Sequence, residues 1–171
     1  MARSGVKADY RRGYFASSDQ VSPEQESHNK LVNSMQASAP VSTMLLLRVQ
    51  VLPPDEKNPK VRIDYGVYAP DLAFTEGPDH HKNGKLEFVA LAWDKERHAA
   101  ANASETMNLS LPPEHYETVL KNGLSAHLEL EVKPGNYTLR LGAMDYGNGK
   151  IGTLDVPLSI ADKVQASHSP H

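Results

Sequence analysis

Between Thr43 and Ile160 lies a series of segments in which apolar residues recur at every second position, and this period constrains the fold more than any other feature of the chain. Leu45, Leu47, Val49 and Val51 alternate with Leu46, Arg48 and Gln50, and Val61, Ile63, Tyr65 and Val67 alternate with Arg62 and Asp64. Successive side chains of a strand point to opposite faces, so each pattern describes a strand with one buried and one wetter face. Pro53 and Pro54 end the first strand and Pro70 stops the second, because proline cannot donate to a ladder. Leu86 to Trp93 is apolar at both parities, as expected of a central strand covered on both sides. Met107, Leu109 and Leu111 alternate with Thr106, Asn108 and Ser110 in a further strand.

The last third is the most regular. Ala126, Leu128, Leu130 and Val132 face in while His127, Glu129 and Glu131 face out, and Pro134-Gly135 makes a tight turn into Tyr137, Leu139, Leu141 and Ala143. Asp145 to Gly149 has hairpin composition, and Leu154, Val156, Leu158 and Ile160 form the final inward set. Ile151 falls on the opposite parity, which predicts a bulge at Gly152. Two helices are expected beside the strands. One runs over 113–122, with Pro113 at its start, Glu114 and Glu117 near the positive end, and Lys121 and Gly123 at its stop. The other covers 23–36, with Ser22 as N-cap, Pro23 as first helical residue, Gln25 as capping-box partner, and Leu31, Val32 and Met35 at helical spacing.

Six or seven strands without strand–helix–strand alternation predict an all-β fold, an antiparallel β-sandwich of immunoglobulin or fibronectin type, over residues 43–161. Residues 1–42 read as a polar junction that does not build the core, and 162–171 as a disordered tail. A chain of 171 residues has room for one domain of ordinary size. Its net charge of −3 leaves no electrostatic footprint for nucleic acid or an anionic membrane surface. The absence of cysteine excludes disulfides, thiolate metal sites and cysteine nucleophiles, and leaves the compartment open. The longest apolar run, Met44 to Leu47, is far shorter than the roughly 20 residues of a membrane helix, and no signal-peptide core follows Met1.

Chemistry-bearing residues are sparse. Asp79, His80 and His81 form the one carboxylate–imidazole cluster in sequence, in a polar loop between Pro78 and Lys82. A defined metal site needs three or four convergent ligands, so these three are weak candidates and a solvated loop is the expectation. His98, His115 and His127 are spread over a turn, a helix and a strand. Ser104, Ser110 and Ser125 lack a nucleophile-elbow context. Glu129 and Glu131 share one face, but alternating exposed carboxylates are what a soluble strand carries. Gly147 to Gly152 spells Gly-x-Gly-x-x-Gly without a following helix, so a hairpin turn is expected rather than a phosphate cradle. Tyr65 and Tyr68 are expected on opposite faces of one strand, and Trp93 in the core. The residues point to no catalytic group and no cofactor.

Several segments together resemble the C-terminal region of acidobacterial proteins related to von Willebrand factor type A domains. They are Arg11-Arg12-Gly13-Tyr14-Phe15-Ala16, Leu86 to Asp94, the stretch from Asn108 through Leu111, Pro112, Tyr116, Leu120 and Gly123 to Leu124, and Pro134 to Gly142 continued by Asp145 and Gly149 to Leu158. The resemblance implies that Val6 to Ala16 are the end of an upstream domain. It implies an exported protein, periplasmic or extracellular. The Asp-x-Ser-x-Ser metal loop of type A domains does not occur here, so neither its cation nor its adhesive role carries over. Three glycosylation sequons, at Asn102, Asn108 and Asn136, read as coincidence beside a bacterial resemblance. The resulting expectation is a non-catalytic structural or protein-interaction module whose partner is a protein, either an upstream type A-like domain or a cell-envelope component. The alternative is a module that binds carbohydrate or another cell-surface ligand.

Overall fold

The computed structural model describes residues 22–161. The segments Arg11–Ala16 and 162–171, on which part of the family resemblance and the expected tail rest, lie outside them. The chain divides into two compact units, with the boundary between Val32 and Asn33. Helix α1 (Pro23–Ser34) runs across this boundary, and Ser22 caps it, its Oγ accepting the Gln25 N–H at 3.0 Å. The Gln25 side-chain amide N–H donates forward to Asn29 Oδ1 at 3.1 Å.

The second unit is an antiparallel β-sandwich. One sheet has three strands in the order β1 (Leu47–Leu52), β2 (Val61–Val67) and β6 (Leu124–Leu130). The other has five: β3 (Thr75–Glu76), β4 (Lys82–Trp93), β5 (Ala99–Leu111), β7 (Gly135–Asp145) and β8 (Ile151–Ile160). In this sheet β4 is central. β5 runs along one side of it, while β7 and the two-residue β3 share the other, and β8 lies beyond β7. Helix α2 (Pro113–Asn122) carries the chain from β5 in one sheet to β6 in the other. It stops at Gly123, whose φ of 84° and close approach to the Val67 carbonyl oxygen exclude most side chains.

The core lies between the sheets. Val61, Ile63, Tyr65 and Val67 of β2 with Leu128 and Leu130 of β6 face Leu86, Phe88, Ala90 and Ala92 of β4 with Leu139, Leu141 and Ala143 of β7. The alanines leave room for Tyr65, whose ring meets Phe88 at 5.2 Å and whose hydroxyl crosses the core to donate to the Val89 carbonyl at 2.8 Å. Burial pushes that phenol's pKa up, so it stays a donor across the ordinary pH range. Tyr68, just past the end of β2, is exposed.

The outer face of the five-stranded sheet is covered as well, by residues 33–42. Arg140 on this face is 3% exposed. Its Nε and Nη2 bind both oxygens of Asp155 at 2.7 and 2.8 Å, and its Nη1 donates to the carbonyls of Ser34, Gln36 and Ala39. The bond to Asp155, more than any other influence, pushes the guanidinium pKa further up. Met35 is buried over Gly142, where a Cβ would fall 2.6 Å from its sulfur. Trp93 is half-buried on this face rather than in the core between the sheets, its indole N–H donating to the Met35 carbonyl at 3.1 Å. The polar stretch 33–42, which has no strand period of its own, thus supplies the second cover that the doubly apolar β4 requires.

The chain then changes sheets. Ser42 to Leu45 pair with the start of β8, through a Thr43–Gly152 bridge and the Leu45 N–H to the Ile151 carbonyl, before residues 47–52 join β2 as β1. This corrects the expected bulge at Gly152, because the β7–β8 ladder runs through it without a register shift. Glycine stands there because a side chain would collide with the Leu45 carbonyl oxygen. Ile151 is buried at 7% exposure on the covered outer face, which accounts for its parity. The one register shift in this sheet lies between β4 and β5, at Ala92/Trp93.

Candidate interaction surface

A sandwich exposes its strand edges, where unpaired N–H and C=O groups can accept another strand. Besides the two-residue β3, four strands have one ladder partner each among the described residues, and they are guarded unequally. β8 carries Pro157 and is met at its start by Ser42 to Leu45, with Ser42 N–H and Oγ–H donating to Thr153 Oγ1 and the Ile151 carbonyl. β1 is six residues long and runs into Pro53-Pro54. β6 is seven residues long and exposes Glu129, held by Asn58 Nδ2 at 3.1 Å. β5 differs from all three. It is thirteen residues long, roughly 40 Å of extended chain, and β4 is its single ladder partner among the described residues.

The composition of β5 leaves that edge usable. Its sequence, AAANASETMNLSL, contains no proline, lysine or arginine, and Glu105 is its one charged residue. Ala101, Ala103, Met107 and Leu109 are half-buried against the core, while Asn102, Ser104, Thr106, Asn108 and Ser110 are exposed. Glu105 breaks the inward pattern. It lies opposite Phe88, on the core-facing parity, yet it is exposed. On an edge strand a charge at such a position keeps its hydration only while the free side stays open to water. No hydrogen bond or ion pair with the described residues engages it.

A second recess lies on the outer face of the three-stranded sheet. Gly66 leaves a gap between the neighbouring strands, walled by Leu46, Arg48, Tyr68 and the end of α2 at Leu120 and Lys121, with a volume of about 390 Å³. Leu46 and Tyr68 are 54% and 53% exposed on its rim. Tyr68 is the one exposed aromatic residue among those described, where a sugar platform would present several rings.

The histidine loop does not assemble. Asp79 and His80 both take positive φ, 58° and 61°. His80 Nδ1 lies 2.9 Å from Glu76 Oε2, while His81 Nδ1 lies 3.4 Å from Ser110 Oγ. The two imidazoles therefore have different partners, and Asp79 joins neither. Glu76 also binds Lys82 at 3.2 Å, and the hydrogen bonds from His80 and then Lys82 hold its carboxyl below the usual carboxylate range. Ser110–His81 is a hydroxyl–imidazole pair, but no carboxylate among the described residues orients His81, so these residues do not bring the elements of a nucleophilic triad together.

The group that does converge is Asp94, Glu96 and His98, with ligand atoms within 4.8 Å of one another. They occupy the turn between β4 and β5, where Asp94 Oδ1 accepts the His98 N–H at 2.8 Å and Arg97 takes a φ of 65°. The Asp-x-Glu-x-His spacing across a tight turn was the available sequence signal. Hairpin closure accounts for the geometry. The buried acids are likewise committed to the fold. Asp145 accepts the backbone N–H groups of Ala73 and Gly147 at 2.7 and 2.8 Å, and Glu87 accepts the Tyr146 hydroxyl at 2.6 Å.

No protein-family model matches this chain, and no curated protein matches it either. No helix among the described residues is long and apolar enough to cross a membrane.

Proposed function

We propose that this chain is a non-catalytic protein-interaction module of an exported, type A-related protein, with an immunoglobulin- or fibronectin-like sandwich as its scaffold, and that it binds by taking up a partner strand at β5. The observation that carries this reading is the contrast among the edges: β5 is the longest, and among the described residues it has neither the proline and covering segment of β8 nor the proline stop and short length of β1, while β6 is about half as long. Strand addition draws its affinity from main-chain hydrogen bonds and its specificity from alternate side chains, so a surface without a deep pocket suffices. The family assignment rests on the family-like segments alone. Those within the described residues do architectural work. Leu86–Trp93 lies within the central strand, and in the Pro134–Tyr137 turn the Tyr137 hydroxyl donates to the Lys133 carbonyl at 2.8 Å, with its ring against Gly135.

A selection tests the interaction. Random peptides displayed against the folded module should yield extended binders whose titration shifts the backbone amides of 99–111 in the NMR spectrum. Shifts centred on Gly66, Tyr68 and Lys121 would instead favour the second reading, a receptor for a small cell-surface ligand in the 390 Å³ recess. In that case a glycan array should return a retained sugar, and Tyr68→Ala should abolish its retention.

A further inference from the structure

We infer that the partner strand at β5 carries a lysine or arginine opposite Glu105, and that Glu105 prevents β5 from pairing with a second copy of this chain. The inference rests on the strand-addition reading and adds the chemistry of the occupant.

Glu105 is the midpoint of Ala99–Leu111. When two copies of one strand pair antiparallel about a two-fold axis, the pairing that uses the full strand sets each midpoint residue against itself. For β5 that register opposes Glu105 to Glu105. Directly opposite residues have Cβ atoms about 4.5–5.5 Å apart, where like charges repel. Slipping by two residues preserves the inward and outward faces but shortens the ladder, and it still leaves the two carboxylates as diagonal neighbours on one face. A slip by one residue would turn Ala101, Ala103, Met107 and Leu109 against the wrong face of the partner.

Nothing among the described residues neutralises this charge. The residue across from it on β4 is Phe88, and the diagonal neighbours are Leu86 and Ala90. An incoming strand therefore meets one anion among apolar neighbours at the middle of β5. A strand with an apolar residue there would bury the carboxylate unpaired, while one with a cation would pair it. An inward-pointing charge on an edge strand is a known guard against self-association. Here it also specifies a partner of opposite sign.

The protein itself supplies the probe. Wild-type chain should be monomeric by light scattering, Glu105→Thr should dimerise, and Glu105→Lys alone should remain monomeric because lysine then faces lysine. Mixing wild-type with E105K should give a heterodimer, with affinity about tenfold above either homodimer, and it should weaken as salt rises. A wild-type dimer joined through β5 would overturn the proposal. If E105T dimerises but the wild-type and E105K mixture does not, the edge is open and Glu105 does not select a cation. If no combination pairs and selected peptides also avoid β5, the strand-addition reading fails with it.

Discussion

The two long edges of the five-stranded sheet, β8 and β5, border the same core and are built on different terms. β8 is fastened. Ser42 to Leu45 pair with its start, Asp155 within it binds the buried Arg140, and Pro157 interrupts its free N–H row. β5 has more backbone than β8 and a single ladder among the described residues, to β4, with small side chains over its first half and one charged residue, Glu105. One edge is protected by covering it and the other by a charge. A covered edge serves the fold, whereas a charged edge excludes wrong partners and remains available to a right one.

That difference should appear in the stability of variants. On the fastened side, Arg140→Met removes a buried cation shared by Asp155 and three backbone carbonyls. It should lower unfolding free energy in urea by about 3–5 kcal/mol, and a loss below about 1 kcal/mol would show that 33–42 is not held by this residue. Gly152→Ala forces a methyl group onto the Leu45 carbonyl. A loss of about 1–3 kcal/mol is expected, and a neutral result would mean that Ser42 to Leu45 is not fixed against β8. On the open side, Asn102→Thr replaces an exposed polar residue with a strand former and should change stability by no more than about 0.5 kcal/mol. A larger loss there would mean that β5 is covered after all.

Strands whose inward residues contrast sharply with polar neighbours were the legible parts. Leu139, Leu141 and Ala143 in β7 and the β2 set announced themselves by contrast with polar neighbours, and the α2 punctuation from Pro113 to Gly123 predicted that helix at its observed bounds. The first half of β5 was not visible. In Ala99 to Glu105 alanine alternates with asparagine and serine, and alanine contrasts too weakly with small polar residues for a period to register; pairing with Leu91, Ala90 and Phe88 makes it a strand. The role of 33–42 was hidden for a related reason, because its carbonyls rather than its side chains engage Arg140.

The sites obey the same logic. Asp79, His80 and His81 are adjacent in sequence, but the turn sends His80 toward Glu76 and His81 toward Ser110. Asp94, Glu96 and His98 are spaced two apart and meet only because a tight turn folds them together. The edge of β5 has no sequence motif at all. It is defined by which strands pair, and Glu105 gains its meaning from standing at the middle of an unpaired side.

Amide hydrogen exchange on isotope-labelled wild-type protein, free and with excess unlabelled Glu105→Lys chain, tests the central claim most directly. Exchange should slow at alternate amides along Ala99–Leu111 and stay unchanged along β8 and around Gly66. Unchanged exchange throughout β5, or protection appearing instead at β1 or the Gly66 recess, would contradict the claim.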